Sequence, residues 1–530
     1  MTKISIFFII IFNCLFVCAQ EWKNFDKIVL NPPTKKFIEQ EIENNNSGAY
    51  KIGTIIPTNI TVSNSGDYNN NKWCIKIFSE DAIGLSLHFE YFNIQEDSEF
   101  IVYDKNHNIF NIFKKEDNLS GKGFSIGIVG GDEVFIEYKI SSESSFTEND
   151  FKISGIAYIY RRAEIIDYQY KALGFGSSES CFVNVNCSEG NNLRQAQKAV
   201  ARVYIVDGNS VAYCSGTLIN NTAEDGTAYF LTAAHCATSA NAEDYAKWRF
   251  DFNFESVDCT NPTIEPIKTS FTGCKKIASA GINNGSDFLL VLLTNITINQ
   301  IKNAKLVFNG WNITDVNPNI GYCISHPMGD IKKVSTFNTT AITTTFKNME
   351  ITGKQNAHWK LKWSATQNGY SVTDIGSSGS PLLDNSGKII ATLSGGNSSC
   401  SNSAAFDYFG KIFYHWDQNS NDSISQLKYW LDPLKTNTNI CKSLLYDDLE
   451  DEKHDSLKIF PNPCSEIVTV KLPNNLAHKI SIFNSSGQFI RTIPNNINET
   501  AIDISNYKSG IYFFKIENNN KTICKKLIKR

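Results

Sequence analysis

Short apolar runs that alternate with polar residues dominate this chain, and long stretches of helical spacing are scarce. Residues 85–89, 100–103, 133–137 and 153–160 have strand length and strand composition. Residues 201–206, 227–231 and 288–293 read as further strands with frequent turns between them, and helical periodicity is concentrated at 424–430. Many short strands with one terminal helix predict an all-β barrel or sandwich. The acidic stretch 447–452 has little to bury and reads as a solvated linker. Beyond it, 467–470, 479–483 and 510–514 alternate again, punctuated by Asn484-Ser485-Ser486-Gly487 as a hairpin turn, which predicts a small β-sandwich.

At 530 residues the chain is too long for one core, so two to four domains are expected. The texture divides it into 1–19, 20–171, 172–443, 444–455 and 456–530. Lys3 precedes an apolar run over 4–17, and Val17-Cys18-Ala19 precedes Gln20, the order of a secretory signal peptide. Lipidation of Cys18 is the weaker reading, because bulky Val17 stands where a small residue is usual. The run is too short for a membrane span. Export alters the meaning of the 14 cysteines: Cys14 and Cys18 leave with the signal, and the rest enter an oxidising space. No pair has Cys-x-x-Cys spacing, so a disulfide framework is favoured over a zinc or redox site. A net charge of −4 offers nucleic acid no basic surface. The region 20–171, with Arg161-Arg162 after its last strand, is either an accessory binding domain or a removable pro-region.

Two short segments carry chemistry. Leu231-Thr232-Ala233-Ala234-His235-Cys236 follows an apolar strand, and Gly376-Ser377-Ser378-Gly379-Ser380-Pro381 precedes another. A nucleophilic serine needs its oxygen exposed on a tight turn, and Gly376 and Gly379 allow backbone conformations that a Cβ hinders. The N–H groups of Gly376 and Ser378 then converge on a developing oxyanion. A serine hydroxyl is a weak nucleophile and needs a base, for which His235 is placed. The imidazole in turn needs a carboxylate to fix its tautomer. Asp287 opens a fully apolar strand, where a carboxylate requires a partner. Asp251 and Asp258 lie nearer in sequence but in polar or turn-like surroundings.

These segments, with Cys214-Ser215-Gly216-Thr217-Leu218, Ser286 to Leu290, Gly310-Trp311, His326-Pro327, Gly395 to Cys400 and Trp430-Leu431-Asp432-Pro433, resemble trypsin-type serine proteases, and more narrowly the bacterial lysyl endopeptidases. The resemblance covers about 181–433. It implies a chymotrypsin-type double β-barrel with a terminal helix, and disulfides Cys214–Cys236, Cys181–Cys400 and Cys187–Cys259. Cys274 and Cys323 remain in this region and are paired by elimination. Val372 stands six residues before the nucleophile, where many trypsin-type enzymes carry an Asp. In the lysyl endopeptidases an Asp on a later loop serves instead, and Asp407 matches it, with Ser394, Gly395 and Gly396 as further substrate-binding residues. Asp407 as an ordinary turn residue is the bland alternative, and Asp374 is a second acidic candidate. Ser394 replaces a His of that family, and its stacked Trp has no clear counterpart. Ser377 replaces the Asp that pancreatic-type enzymes use to bind a new amino terminus, so activation by insertion is not expected. Cleavage after Lys171 would release the pro-region.

The C-terminal region is similar to type IX secretion sorting domains, through Ile459-Phe460-Pro461-Asn462-Pro463, Ile480 to Phe483, Ser509 to Tyr512 and the basic end 525–529. That implies passage through the periplasm and outer membrane, to an extracellular or cell-surface destination. A substrate-binding β-sandwich is the alternative. The resemblances together imply a monomeric endopeptidase that cleaves peptide bonds after basic residues, Lys favoured over Arg, through an acyl-enzyme. It requires no metal or organic cofactor, its partners are protein or peptide substrates and the type IX machinery, and nucleic acid is excluded. The rival readings are an inactive surface adhesin on a protease scaffold, and the same hydrolase with Arg or broad specificity.

Overall fold

The structure, a computed structural model, describes residues 26–43, 49–160, 175–348, 351–449, 458–471, 478–485, 487–495, 499–517 and 522–530. The signal peptide, Arg161-Arg162, Lys171 and the linker from residue 450 lie outside the described residues. Two compact units divide at Leu449 and Glu450. Among the described residues no helix is long and apolar enough to cross a membrane.

The N-terminal region forms strands because its apolar residues alternate. Lys72–Ser79, Glu133–Lys139, Glu99–Tyr103 and Ile109–Phe113 make an antiparallel run that Lys27–Leu30 joins in parallel. One face packs on a core rich in phenylalanine, including Phe89, Phe92, Phe100, Phe124 and Phe151, with edge-to-face and stacked ring pairs.

This region shares a sheet with the segment that follows it. Tyr50–Thr61 pairs with Phe151–Ile159 on one side and with Ser210–Leu218 on the other, in the register Ser210↔Thr54, Val211↔Gly53 and Tyr213↔Tyr50. A Cβ on Gly53 would lie 2.5 Å from the Tyr158 carbonyl, so the crossing needs glycine. Buried polar links cross the same junction: His88 Nε2 lies 3.0 Å from Tyr204 Oη, and Ser125 Oγ donates to the Lys247 carbonyl at 2.6 Å.

The all-β class expected for 172–443 is present, but closed barrels are not. In the first half, Val200–Asp207, Ser210–Leu218, Tyr229–Thr232, Phe288–Leu293 and Cys274–Ala280 pair in succession. From the other edge Val200–Asp207 pairs with Arg249–Phe252, which pairs with Thr269–Thr272. At Gly273, with φ +96°, the chain changes partner strand: Thr272 pairs with Arg249 and Cys274 with Leu293. A residue in that conformation leaves the extended path of its strand. The second half is an open sheet ordered Val183–Asn184, Lys333–Phe337, Gly321–Ser325, Pro381–Leu383, Ile389–Gly396, Asp407–Lys411, His358–Leu361, Ile342–Thr344.

The terminal helix expected at 424–430 is two short pieces. A 3₁₀ turn spans Ser423–Ser425, Gln426 is extended, and an α-helical turn spans Lys428–Leu431. Leu427 and Leu431 are buried, whereas Ile424 is 59% exposed. The apolar spacing therefore does not describe one continuous inward face. A separate six-residue helix, Ile412–Asp417, follows the Asp407–Lys411 strand directly.

The C-terminal unit is a small sandwich. Lys458–Phe460, Ile467–Lys471 and Glu499–Asp503 form one sheet, and Phe489–Asn495, His478–Asn484, Gly510–Glu517 and Thr522–Lys529 the other. Val468, Val470 and Ile502 from the first share a core with Ile480, Ile482, Phe514, Ile516 and Leu527 from the second. The hairpin at 484–487 is present, with Gly487 at φ +79° donating its N–H to the Asn484 carbonyl at 3.0 Å.

Candidate active site

Strand pairing brings the first two residues together. Tyr229–Thr232 and Phe288–Leu293 are antiparallel with Thr232↔Leu289, so the exit of one strand adjoins the entry of the other. His235 sits on the 3₁₀ turn Ala234–Cys236, just past the exit, and Asp287 stands just before the entry. Asp287 Oδ2 lies 2.7 Å from His235 Nδ1, and its Oδ1 accepts the His235 backbone N–H at 3.0 Å. Asp287 is fully buried and left-handed at φ +67°, a conformation more accessible to Asp than to most residues with a Cβ. Burial pushes its carboxyl up, but the His235 charge and hydrogen bonds, with one from Ser394, hold it below the ordinary carboxylate value. His235 Nε2 is buried without a hydrogen-bond partner among the described residues. The rival aspartates are engaged elsewhere: Asp251 pairs with Arg202 at 2.7 Å, and Asp258 accepts from Thr260.

The turn carrying Ser378 is held from both halves of the domain. Gly376 and Gly379 adopt φ +88° and +80°. A Cβ on Gly379 would lie 2.1 Å from Thr232 Oγ1, so only glycine fits against the His-bearing strand. Ser215 N–H donates to the Ser378 carbonyl at 2.9 Å, and Ser215 Oγ donates to the Gly376 carbonyl at 3.0 Å. The Ser215 hydroxyl also accepts His326 N–H at 2.9 Å. From the second half, Gly379 N–H donates to the Leu393 carbonyl at 2.9 Å. The Ser378 carbonyl lies 3.8 Å from Cys236 Sγ, one residue from His235.

Asp407 is 1% exposed and surrounded by neutral donors. Its Oδ2 accepts Trp363 Nε1–H and Thr373 Oγ–H, each at 2.6 Å, and the Ser398 hydroxyl, while Oδ1 accepts Ser398 N–H at 3.2 Å. Burial outweighs these donors and raises its pKa above the ordinary value. The register Gly396↔Asp407 runs the two strands flush, and a Cβ on Gly396 would lie 1.9 Å from Asp407 Oδ1. Gly395, at φ +146°, passes Phe346, and Val372 is fully buried. Asp374 does not share the Asp407 cluster: its Oδ1 accepts Ile375 N–H at 2.6 Å, and burial raises its pKa to about 6.

Ser394 lies between Asp287 and a residue absent from the expected site, His358, whose Nε2 is 3.2 Å from Ser394 Oγ. Phe346 packs on that imidazole, ring centroids 5.5 Å apart. Ser394, which stands in place of a His of the family that the sequence resembles, thus meets a histidine from another strand, and Phe346, between the strands Ile342–Thr344 and Lys347–Asn348, packs on that histidine. Ser215, Trp363, Thr373 and His358 were likewise not singled out for these contacts. Only the segment Cys214 to Leu218 and the motif ending at Cys400 pointed to their neighbourhood.

Three of the four expected disulfides are present: Cys181–Cys400, Cys187–Cys259 and Cys214–Cys236. The last ties the residue before Ser215 to the residue after His235. The pairing Cys274–Cys323 is absent, and both are buried free thiols. Cys274 belongs to the core of the first half and Cys323 to that of the second, where each packs as a small apolar side chain. Elimination failed because it required every cysteine of the region to pair.

Residues just after the undescribed 161–174 are fastened behind the serine turn. Gly176 N–H and Ser178 N–H donate to the Asp330 carboxylate at 2.6 and 3.1 Å, and Met328 N–H donates to the Ile375 carbonyl at 2.7 Å.

Residues 175–410 match the family described as lysyl endopeptidase, C-terminal domain, and residues 458–530 match the secretion system C-terminal sorting domain. A lysyl endopeptidase of Pseudomonas aeruginosa is 28% identical over 309 residues, covering 55% of this chain and 62% of the relative. The match thus spans less than two thirds of that relative's length. Among solved structures, the protease Anisep from Arthrobacter nicotinovorans is 17% identical with a TM-score of 0.30, covering 43% of this chain and 96% of its own. A Glu endopeptidase is 16% identical with a TM-score of 0.26, covering 45% of this chain and 92% of its own. The sorting domain marks a secreted or cell-surface protein. Over residues 175–410 the chain carries a domain of the lysyl endopeptidase type, joined to a secretion-system sorting domain over 458–530.

Proposed function

We propose that this chain is a secreted serine endopeptidase that cleaves after basic residues, Lys favoured over Arg, through an acyl-enzyme. The observation that carries the reading is the Asp287 carboxylate, which grips both Nδ1 and the backbone N–H of His235 beside the Ser378 turn. With Nδ1–H donated to Asp287, the lone pair of His235 lies on Nε2, the atom without a partner among the described residues. His235 takes the Ser378 proton as the hydroxyl attacks the scissile carbonyl, and returns it to the leaving amine. Water then repeats the sequence on the acyl-enzyme. Gly376 N–H and Ser378 N–H stabilise the oxyanion. The sorting domain engages the type IX secretion machinery, and removal of the N-terminal region within 161–174 precedes activity.

Specificity rests on Asp407. Neutral donors satisfy its oxygens without neutralising it, and burial raises the cost of its charge. A substrate cation relieves that cost, and a neutral side chain does not. The test is labelling by an organophosphonate together with paired Lys and Arg peptides. Labelling should vanish in Ser378→Ala and survive in Asp407→Ala, which should lose preference for basic residues. Undiminished labelling of Ser378→Ala would overturn the catalytic reading, as would a wild-type chain that never labels. Unchanged Lys preference in Asp407→Ala would overturn the specificity reading alone.

A further inference from the structure

Asp287 is held by more than its partner His235, and the additional support comes from two histidines of the second half. The Ser394 hydroxyl is one of the groups beside Asp287 that hold its carboxyl below the ordinary carboxylate value. A carboxylate only accepts, so a Ser394 proton turned toward Asp287 leaves the hydroxyl oxygen to take a donor from behind. That donor is His358 Nε2–H, 3.2 Å away on the strand His358–Leu361. Its other nitrogen, Nδ1, is buried without a hydrogen-bond partner among the described residues. A fully buried ring with one unpaired nitrogen is costly as mere packing, and the bond made by Nε2 accounts for a histidine here.

The second support reaches the residue before Asp287. Ser286 Oγ lies 2.7 Å from His415 Nδ1 and accepts Asn419 Nδ2–H at 2.9 Å, while Ser286 N–H donates to Asn419 Oδ1 at 3.2 Å. His415 Nε2 lies 3.0 Å from Thr392 Oγ1. With Ser286 Oγ–H donating to Nδ1, Nε2 carries the ring proton and donates to Thr392, so every atom of the chain has a role. Around the same loop, Asn284 N–H donates to the Thr352 carbonyl at 2.8 Å, and Lys354 N–H to Gly285 at 2.9 Å. A left-handed aspartate at a loop end keeps that conformation only where its surroundings impose it.

We propose that His358 and His415 are positioning residues that hold Asp287 in place, each acting through one serine, Ser394 and Ser286. The proposal rests on the reading of Asp287 as the orienting acid. Burial keeps both rings neutral, with pKa values lowered to about 4 for His358 and about 3 for His415, so they fix geometry without adding a cation beside His235.

The experiment uses the full chain, activated as the parent is, with kcat and KM measured on a lysyl amide substrate. His358→Met and His415→Met fill the rings' volume but break the links. Each is expected to lower kcat about 10- to 100-fold, the effect of a small misplacement, with KM within about twofold. His358→Gln and His415→Asn, which restore a donor or acceptor near the bonding nitrogen, should recover most of that loss. If either methionine variant does not fold, Ser286→Ala cuts the His415 link from the other end and is expected to show the same kcat loss. Methionine variants within threefold of the parent in kcat would overturn the proposal, as would a loss confined to KM or one the polar variants do not repair. Asp287→Asn separates the two ideas. It should cost about 10⁴-fold in kcat, and its retaining activity would sink the orienting-acid reading itself.

Discussion

Ser215→Ala tests the joint between the two halves of the catalytic domain most directly. The hydroxyl takes His326 N–H at 2.9 Å and gives its proton to the Gly376 carbonyl at 3.0 Å. Ser215 and His326 are both 0% exposed, so water cannot replace what alanine removes. Each buried group left without a partner costs about 1–3 kcal/mol, so the pair should cost about 2–6 kcal/mol of stability. That is within the roughly 5–15 kcal/mol of a folded domain, so the variant should fold but melt several degrees lower. The bond from Ser215 N–H to the Ser378 carbonyl is made by backbone and survives, so Ser378 itself stays anchored. What loosens is Gly376, the proposed oxyanion donor. Complete loss of one donor costs about 10²–10³ in kcat, so a loosened one should cost about 10- to 100-fold, with KM nearly unchanged. Thermal unfolding and steady-state kinetics on one preparation give both numbers. An unchanged melting temperature with kcat within threefold of the parent would refute the reasoning.

Gly379→Ala places a methyl group 2.1 Å from Thr232 Oγ1 in a left-handed backbone. Strain and overpacking should together cost about 3 kcal/mol or more in denaturant unfolding, and abolish phosphonate labelling. Asp374, raised by burial from 3.8 to about 6, binds its proton more tightly folded than unfolded. Its contribution is full below about pH 3.8 and lost as pH rises through about 6, a swing of about 3 kcal/mol. Asp374→Asn keeps the bond from Ile375 N–H, so it should be more stable than the parent near pH 8 and equal near pH 4; an equal gap at both pH values would refute this. His88 titrates in the opposite sense. Burial, aided by Lys247, lowers it from 6.5 to about 3, so the stability tied to its neutral form is present above about 6.5 and lost as pH falls toward 3. Because His88 bonds Tyr204 across the shared sheet, acidification should speed hydrogen exchange in Gly84–Phe92, and His88→Gln should flatten that dependence.

What the sequence by itself determined were features written over a few residues. Strand character came from period-two alternation, and the serine turn from glycines at 376 and 379, which allow backbone conformations that a Cβ hinders. Asp287 was legible because a carboxylate opening an apolar strand must have a partner. Resemblance carried the three disulfides and pointed to Asp407, which is buried among neutral donors. Neither alternation nor motif states which strands pair beyond their neighbours, so the sharing of one sheet by Tyr50–Thr61 and Ser210–Leu218 was decided only in three dimensions. The change of partner strand at Gly273, and the open order of the second sheet, were decided the same way. Cys274 and Cys323 remained apart because two different cores claimed them, a choice a cysteine count does not contain. The support around Asp287 shows the same division. His235 announced itself by its motif, while His358 and His415 sit in ordinary strand and helix sequence and gain their meaning from serines 36 and 129 residues away. Local patterning selects elements because its physics is short-ranged. Which buried donor meets which acceptor depends on long-range register, and that exists only once the sheets have packed.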